Sequence, residues 1–492
     1  MNLTDLLTKM GPGRVSTTAY DTAWVARLGE IDPEISNKAL GWISDHQNSD
    51  GSWGADQPYY YHDRVISTLA VMVAINYRGR RQDDQKQIKR GLEALEKIAD
   101  HVDQGLSADP NGATAGFEMI VPTLVADAER LGILKRQADT ILDRLDSQRT
   151  SKIKVLRNRK IERRMTAAFS LEMAGVDGGK DMLDLDHLQE EDGSVSHSPS
   201  ATAYFLANVQ PDNQKAHEYI RKCMREDGGA PMAVPFEICE RTWVLWNIGL
   251  LELDQDIRNL CVPHLDALQQ AWRRDGVGFT KDHGVKDGDD TSLTFDALTR
   301  FGYSPDINAL LHYEEEDHFR CYPYETTFSI STNIHFIGAL RRAGYQADHP
   351  LIQKATQFLI RNRTDRFWCD KWHASPFYAT GHAIIALSGY LNQMIEDTVR
   401  WLVSCQHPDG SWGYYSVPSA EETAYALQAL SIWRKHGGKL EKNILKSGLL
   451  WLRDHSAAPY PMMWLAKSLN YSEWIIQAEL LSAQLLAEEA LS

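Results

Sequence analysis

Apolar residues recur at three- and four-residue spacing along most of this 492-residue chain. That spacing predicts amphipathic helices. The clearest predicted helices are Val65–Ile75, Gln87–Ile98, Thr123–Leu134, Ile257–Trp272, Met394–Gln406 and Ala420–Lys435. Glycine-rich turns separate them, and the sequence shows neither an alternating strand pattern nor a hairpin signal. The pattern therefore predicts an all-α protein without a sheet core.

A short turn sequence recurs between these helices. The two full copies are Gln47–Gly54 and Gln406–Gly413, both of which contain Asp-Gly-Ser-Trp-Gly, and weaker copies lie at 189–195, 226–229 and 274–279. Asp-Gly favours a tight turn with glycine at positive φ, and the following Ser can cap the next helix. Repeated turns between antiparallel helices are typical of helical toroids. We expect Trp53 and Trp412 to fold back over the preceding helix ends as structural staples.

Composition excludes several classes of protein. The length predicts two or three domains. The net charge of −15 argues against a nucleic-acid partner. Six scattered cysteines without a CxxC pair favour reduced thiols, and the chain has no apparent signal peptide and no membrane-spanning run. We therefore expect a cytoplasmic protein, for which peripheral membrane contact stays open.

An acidic cluster opens an apolar segment in the second half of the chain. Asp287, Asp289 and Asp290 lie within four positions, immediately before Thr291 and Ser292. Carboxyls this close cannot all ionise cheaply, so at least one is expected to keep its proton. The cluster could bind a metal or hold a proton, and we favour the proton.

A basic run interrupts the acidic average of the chain. Its members are Lys152, Lys154, Arg157, Arg159, Lys160, Arg163 and Arg164. One interpretation is a solvated loop or helix face. The other is a patch that binds an anionic head group, either a phosphate or a carboxylate.

With these motifs the sequence resembles the class II terpene cyclases, specifically bacterial diterpene cyclases of the halimadienyl or copalyl diphosphate synthase type. The turn repeats are similar to those of the same superfamily, which includes squalene-hopene cyclase. Asp287-x-Asp289-Asp290 resembles its signature acid motif. Further segments that resemble the family are 16–26, 62–70, 116–124, 198–203, 236–243, 370–373 and 420–425.

The resemblance implies a fold of two (α/α) helical barrels, called β and γ, with the active site between them. On this basis residues 1–32 begin the β domain, residues 33–235 form the γ domain, and residues 236–492 complete the β domain with its acid motif. The class I motif DDxxD is missing, so ionisation of a diphosphate is not the expected chemistry.

The resemblance also implies roles for five residues. Asp289 is the expected proton donor to an alkene, while Asp287 and Asp290 position and recharge it. Asn333 is expected to hydrogen-bond the donor and so stabilise the carboxylate left behind. His335 is a further candidate for proton supply, and a core histidine with satisfied hydrogen bonds is the alternative.

A cyclising cation needs a wall that excludes water and tolerates positive charge, which aromatic faces provide. Candidate wall residues are Trp272, Phe279, Phe328, Trp368, Trp372, Tyr378 and Trp464. For any single one ordinary core is the favoured interpretation, but some members of the set are expected to line the cavity. Phe169 precedes Ser-Leu-Glu, where plant copalyl synthases have a histidine. That terminating base is therefore expected to be absent.

The expected reaction converts geranylgeranyl diphosphate into a bicyclic diterpenyl diphosphate without a cofactor for the chemistry itself. Arg163 and Arg164 are candidates for binding the head group, with Mg²⁺ if the substrate is a diphosphate. Only Asp109 lies where the family has its acidic metal motif, and Gly112 fills a position that is Asp in close relatives. The alternative is a meroterpenoid cyclase acting on a geranylgeranylated aromatic acid.

Three other classes share helical toroids. A glycosidase would need two carboxyls on opposite sides of a cleft, and a zinc prenyltransferase-like protein would need an Asp/Cys/His zinc set. A non-catalytic binding toroid would not need Asp289 together with Asn333. The expected partner is a hydrophobic prenyl small molecule, with no nucleic acid, and the protein is expected to be a monomer or a homodimer.

Overall fold

Helices dominate the structure, a computed structural model that describes residues 1–11, 13–78, 82–100, 105–135, 140–155, 159–178 and 180–492. The α-helices from the N-terminus to the middle of the chain are α1 Leu3–Lys9, α2 Ala19–Ala26, α3 Pro33–Asp45, α4 Tyr61–Arg78, α5 Gln82–Asp100, α6 Phe117–Arg130, α7 Thr140–Val155, α8 Gly175–Gly178, α9 Pro199–Asn208 and α10 Gln214–Cys223. Those that follow are α11 Glu237–Ile248, α12 Gln255–Ala271, α13 Gly288–Arg300, α14 Asn308–Leu311, α15 Ile330–Arg342, α16 Pro350–Arg361, α17 Pro376–Leu387, α18 Asn392–Ser404, α19 Ala420–Lys435, α20 Lys442–Asp454 and α21 Glu473–Leu491.

The remaining regular structure is short. Three 3-10 helices span Leu106–Ala108, Thr166–Ala174 and Lys180–Met182. Strands β1 (Thr17–Thr18) and β2 (Ala230–Pro231) pair antiparallel, as do β3 (Trp464–Leu465) and β4 (Leu469–Asn470). The predicted all-α class is confirmed, and each of the six predicted helices falls on an observed one.

The first barrel is a closed ring of inner helices. Helix α2 packs on α4, α4 on α6, α6 on the 3-10 helix Thr166–Ala174, that segment on α9, and α9 again on α2. Helices α3, α5, α7 and α10 pack outside this ring. All eight residues of α2 are buried, the polar Asp21 and Thr22 included, so every side of this helix faces protein inside the ring.

The second barrel repeats this arrangement with six inner helices. The ring runs through α11, α13, α15, α17, α19 and α21 and closes on α11, with α12, α14, α16, α18 and α20 outside. Inner helix α19 is buried along 420–433, whereas outer helix α20 buries only Leu445, Gly448, Leu449 and Leu452. This double layer follows from the two kinds of apolar pattern in the sequence.

The chain crosses between the barrels earlier than predicted. Leu6, Leu7 and Met10 share a core with helices of the second barrel, whereas the core of the first barrel begins at Ala19. The crossing therefore lies between Met10 and Ala19 instead of near residue 32, because α2 fills the inner ring of the first barrel. The return crossing lies between Ala230 and Phe236, close to the expected residue 235.

The recurring turns share one hydrogen bond from the main chain to a threonine side chain. A main-chain N–H at the end of the turn donates to a threonine hydroxyl of an inner helix, in the pairs Trp53–Thr68, Val195–Thr202, Ala230–Thr22, Val277–Thr291, Trp368–Thr380 and Trp412–Thr423. The Ser52 hydroxyl bonds Asp50 at 2.7 Å within its own turn, so it does not cap the next helix as predicted.

Trp53, Trp368 and Trp412 occupy equivalent positions in these turns. Each ring is fully buried and donates its Nε1–H to a carbonyl at the end of the preceding outer helix, those of Ile43, Leu359 and Leu402, at 2.7–2.8 Å. The staple role predicted for Trp53 and Trp412 is confirmed. Trp368 is a third staple, which corrects its assignment to the substrate wall.

We expect Trp368→Ala to lower the free energy of unfolding by about 3–5 kcal/mol, because it leaves a cavity and an unpaired carbonyl. Trp368→Phe should lose less stability and leave the KM unchanged. Urea unfolding followed by circular dichroism measures the first effect, with the half-buried Trp451→Ala on α20 as control. A raised KM in the Trp368→Phe variant would instead support the assignment of Trp368 to the substrate wall.

None of the helices in the described ranges combines the length and apolarity needed to cross a membrane. All six cysteines carry free thiols, as the scattered spacing predicted.

Candidate active site

The acidic cluster forms the N-terminus of inner helix α13. Asp287 is the N-cap, and its Oδ1 accepts a hydrogen bond from the Asp290 main-chain N–H at 2.8 Å. Gly288 N–H donates to the Cys321 carbonyl at 2.8 Å, and a Cβ at 288 would lie 2.5 Å from the Arg320 carbonyl oxygen. Only glycine fits there, so the turn fixes the three acids against the segment before α15.

The three carboxyls differ in their surroundings. Burial and the Asp290 carboxylate raise the pKa of Asp287 well above its usual range. Burial and Asp289 raise the pKa of Asp290 to about 7, although hydrogen bonds from Cys239 and Trp243 act in the opposite direction. The Asp289 side chain remains 12% exposed. The cluster therefore retains a proton near neutral pH, and the Asp289 side chain is slightly exposed.

Two histidines extend from Asp289 into the second barrel. His335 Nδ1 lies 2.6 Å from Asp289 Oδ1, and His335 Nε2 lies 2.8 Å from His382 Nδ1. Burial, together with the neighbouring His335 and His373, lowers the pKa of His382 well below its usual range, so this imidazole is neutral. The structure thus places His335 directly on the acid, in contrast to an isolated core histidine.

Asn333 does not bind Asp289 as predicted. Its Nδ2 donates to the carbonyls of Phe319 and Ser329 at 2.9 and 3.0 Å, and its Oδ1 accepts from Phe319 N–H at 2.9 Å. Both amide protons are used in these bonds. Asn333 therefore ties the start of α15 to the 319 segment, and the contact with Asp289 belongs to His335.

Asp370 also supports the acid, although we did not predict it. Its carboxylate accepts hydrogen bonds from the N–H groups of Ile330, Ser331 and Trp372 at 2.6–2.9 Å. This places the Ser331 hydroxyl 3.5 Å from Asp289 Oδ2. The sequence did mark Asp370, because segment 370–373 resembles the family. Sequence alone could not show that this segment contacts the start of α15.

Two predicted wall residues lie beside the acid site. Tyr378 and Trp464 pack against each other and against Trp243, with ring centroids 4.9–5.9 Å apart. The Tyr378 ring is 6.4 Å from that of His335. Trp372 packs at 5.8 Å on Tyr322, whose pKa is raised by burial and by Asp287. Tyr378, Trp464 and Trp243 therefore form an aromatic wall beside His335, whereas Trp372, a third predicted wall residue, forms a separate pair with Tyr322.

Two other predicted wall residues lie elsewhere. Phe328 is 50% exposed and packs edge-on to His318 and Phe358. Trp272 ends outer helix α12 and packs at 6.3 Å on Phe295. Both were candidates because they are aromatic. Phe328 lies in an exposed loop and Trp272 at the end of an outer helix, so both lie away from the acid.

Phe169 and Phe279 lie where the two barrels meet. Both pack on a small apolar cluster formed by Val15, Met232, Ala233 and Ala466. The Phe279 ring lies 5.8 Å from Phe236 and 4.1 Å from His283, and the Lys467 Nζ lies 4.5 Å over the Phe169 ring. An apolar surface therefore continues from the acid-bearing barrel to the first barrel.

Asp109 has a structural role that conflicts with the predicted metal site. Its carboxylate accepts hydrogen bonds from the N–H groups of Tyr61 and His62 at 3.0 and 2.9 Å, and it lies 2.7 Å from His62 Nδ1. It caps α4 and is buried. With both oxygens occupied and Gly112 beside it, these residues do not fit a Mg²⁺ site.

The C-terminal part of the basic run lies against the acid-bearing barrel. Arg159 Nη1 donates to the Tyr324 hydroxyl at 3.2 Å, and a Cβ on Gly284 would meet the Arg163 carbonyl. Arg164 is exposed, Arg163 is partly exposed, and neither guanidinium pairs with a carboxylate in the described ranges. Arg157 lies outside the described residues.

A second buried acid network adjoins the wall. Glu421 Oε1 accepts from Trp464 Nε1–H at 2.9 Å and from the Tyr425 hydroxyl at 3.0 Å, and it lies 3.2 Å from His373 Nε2. Burial and Glu421 raise the pKa of Glu479 well above its usual range. Sequence reasoning missed these residues, although 370–373 and 420–425 both resemble family segments.

Comparisons with known proteins agree with this geometry. Residues 326–458 match the squalene-hopene cyclase C-terminal domain. The chain is 43% identical to a type B diterpene cyclase of Mycobacterium tuberculosis, over 99% of this chain and 98% of the relative. It is 29% identical over 75% of its length to ent-copalyl diphosphate synthase 1 of rice, a chloroplast protein of which the match covers 42%.

The fold has a close structural counterpart as well. The ent-copalyl diphosphate synthase of Streptomyces platensis superposes with a TM-score of 0.81 at 26% identity, over 99% of both chains. This establishes the predicted βγ arrangement of two (α/α) barrels. The chain belongs to the class II, or type B, diterpene cyclases, which are intramolecular isomerases.

Proposed function

We propose that the enzyme cyclises geranylgeranyl diphosphate by protonating its terminal double bond, without loss of the diphosphate, to a bicyclic diterpenyl diphosphate. The observation that carries this proposal is the Asp289 carboxyl, which lies 2.6 Å from His335 Nδ1, keeps 12% of its side chain exposed and adjoins two further buried acids. The diphosphates in the names of the rice and Streptomyces relatives support the choice of substrate.

The two oxygens of Asp289 have separate tasks in this mechanism. Oδ1 accepts a hydrogen bond from His335 Nδ1–H, while the hydrogen bond that Oδ2 makes within the described residues is the 3.5 Å contact with Ser331. The proton therefore leaves from Oδ2. The fixed donor on Oδ1 stabilises the carboxylate that remains, which makes Asp289 a stronger acid toward the weakly basic alkene.

The aromatic wall then contains the cation. Faces of Tyr378, Trp464 and Trp243 offer negative quadrupole surface near Asp289. Their packing also excludes water, which would otherwise capture the cation. The reaction ends when the cation loses a proton. The Phe169 side chain is not a base, so a different group accepts that proton.

We propose that Arg163 and Arg164 bind the diphosphate, because neither pairs with a carboxylate of the described residues and both lie on a segment that meets the acid-bearing barrel. Replacing both with Ala removes charge-assisted hydrogen bonds and should raise KM by roughly 10–100-fold with little change in kcat. Steady-state kinetics measures this. Arg400→Ala on outer helix α18 is the control, and an unchanged KM in the double variant would reject the assignment.

The acid cluster predicts a pH dependence. Because Asp290 has a pKa of about 7 in the folded protein, kcat should stay level below that pH and fall above it as the cluster loses a proton. The raised pKa also makes the stability contribution of Asp290 fall as pH rises from about 4 to 7. Asp290→Asn should move the alkaline limb of the kcat profile upward, and an unmoved limb would assign it to another group.

Product analysis tests the proposal. The purified enzyme is incubated with geranylgeranyl diphosphate, with and without added Mg²⁺, and products are examined by mass spectrometry after phosphatase treatment. We expect a cyclic alcohol isomeric with geranylgeraniol, formed also without added Mg²⁺. Turnover of a geranylgeranylated aromatic acid in place of the diphosphate would overturn the choice of substrate.

A further inference from the structure

Three potential metal ligands meet where the two barrels join. Glu190 belongs to a turn of the first barrel, His197 precedes α9, and His283 lies in the loop that leads to α13. One ligand atom of each lies within 4.8 Å of the others, and all three residues are buried. Glu190 Oε1 is 3.6 Å from His283 Nδ1. The cluster lies outside the acid site, and its member His283 is four residues before Asp287 in the sequence.

Each of the three side chains offers an atom that is unsatisfied. Glu190 Oε2, His197 Nε2 and His283 Nδ1 are buried and have no hydrogen-bond partner among the described residues. The residues are only 3%, 3% and 5% exposed. A buried polar atom without a partner costs about 1–3 kcal/mol. Three such atoms in one place indicate that a bound group completes them.

The surrounding hydrogen bonds prepare these atoms as ligands. His197 Nδ1–H donates to Asp192 Oδ2 at 3.1 Å, which leaves the lone pair on Nε2. Glu190 Oε1 accepts the Gly284 N–H at 2.9 Å, which fixes the carboxylate with Oε2 free. The backbone holds His197 at a φ of 51°, a conformation few non-glycine residues adopt.

We propose that Glu190, His197 and His283 bind a Zn²⁺ ion that fastens the first barrel to the loop carrying the catalytic acids. Two imidazoles and one carboxylate are a common zinc ligand set, with a fourth position for water. Mg²⁺ prefers oxygen ligands and is expected not to bind here. This site is separate from the Mg²⁺ that a diphosphate substrate would bring, and its existence does not depend on the proposed reaction.

Metal titration of the purified protein, first stripped of metals, tests this site. We expect about one Zn²⁺ per chain by elemental analysis, and visible absorption of a tetrahedral complex when Co²⁺ replaces Zn²⁺. Zn²⁺ should also raise the thermal midpoint. His197→Gln and His283→Gln should lose stoichiometric binding, and Asp192→Asn should weaken it by about 10–100-fold. His187→Gln, exposed in the first barrel, is the control.

Zn²⁺ uptake by the wild type no greater than by the His197→Gln/His283→Gln double variant would overturn the site and leave a buried water as its occupant. Mg²⁺ uptake equal to that of Zn²⁺ would also contradict it. Circular dichroism checks that the histidine variants fold. If they do not fold, Asp192→Asn decides, because its side chain is 37% exposed and its change leaves all three ligands in place.

Discussion

Asp289→Asn should abolish cyclisation, with kcat reduced by roughly 10⁴-fold, the upper range for loss of a general acid. Asn offers no transferable proton at the position that Asp289 Oδ2 occupies. Asp287 and Asp290 cannot substitute, since Asp287 is engaged as the cap of α13 and the His335 hydrogen bond is made to Asp289. The rate of product formation by mass spectrometry measures the effect.

Matched variants separate catalysis from folding. Asp287→Asn keeps an Oδ1 that can accept the Asp290 N–H, so α13 should form with a much smaller loss of activity. Both variants should melt close to the wild type. Substantial turnover by a folded Asp289→Asn protein would remove Asp289 from the role of donor.

Lys467→Met should destabilise the protein by about 3–5 kcal/mol, because it breaks a buried ion pair between the barrels. Lys467 lies on the β3–β4 turn of the second barrel and is fully buried. Its Nζ donates to Glu172 Oε1 at 2.8 Å, and to Phe169 O and Ser198 Oγ at 2.7 Å. Without this cation, Glu172 keeps a buried charge in the first barrel. Urea unfolding measures the loss.

A double variant isolates the charge from the packing. Lys467→Met with Glu172→Gln should recover part of the stability, because no buried charge remains unpaired. Lys435→Met, which removes a surface pair with Glu489, should cost less than about 1 kcal/mol. Equal losses for Lys467→Met and Lys435→Met would contradict the proposed role of the buried pair.

The sequence predicted the acid but not its partner on α15. Asn333 and His335 are two residues apart, so on a helix they point in directions about 200° apart. Only the docking of α15 against α13 decides which side chain faces Asp289. The family resemblance suggested Asn333, whereas the geometry selects His335.

Aromatic residues posed a similar problem. Trp368 follows a turn without the Asp-Gly-Ser sequence of the other staples, so only the hydrogen bonds to Thr380 and Leu359 identify its role. His197 and His283 are distant in sequence and come together only where the barrels join. Local patterns predicted helices and turns reliably because those depend on near neighbours, whereas contacts between elements do not.

Cyclisation in D₂O tests the central claim most directly, namely that Asp289 transfers a proton to the terminal alkene while the diphosphate is retained. The acid exchanges with solvent, and addition of its deuteron to the CH carbon of the terminal alkene leaves the tertiary cation on the dimethyl carbon. We therefore predict one non-exchangeable deuterium in the ring CH2 next to the gem-dimethyl carbon of the product, with the diphosphate still attached. A product without deuterium, or stoichiometric release of inorganic diphosphate, would contradict protonation by Asp289.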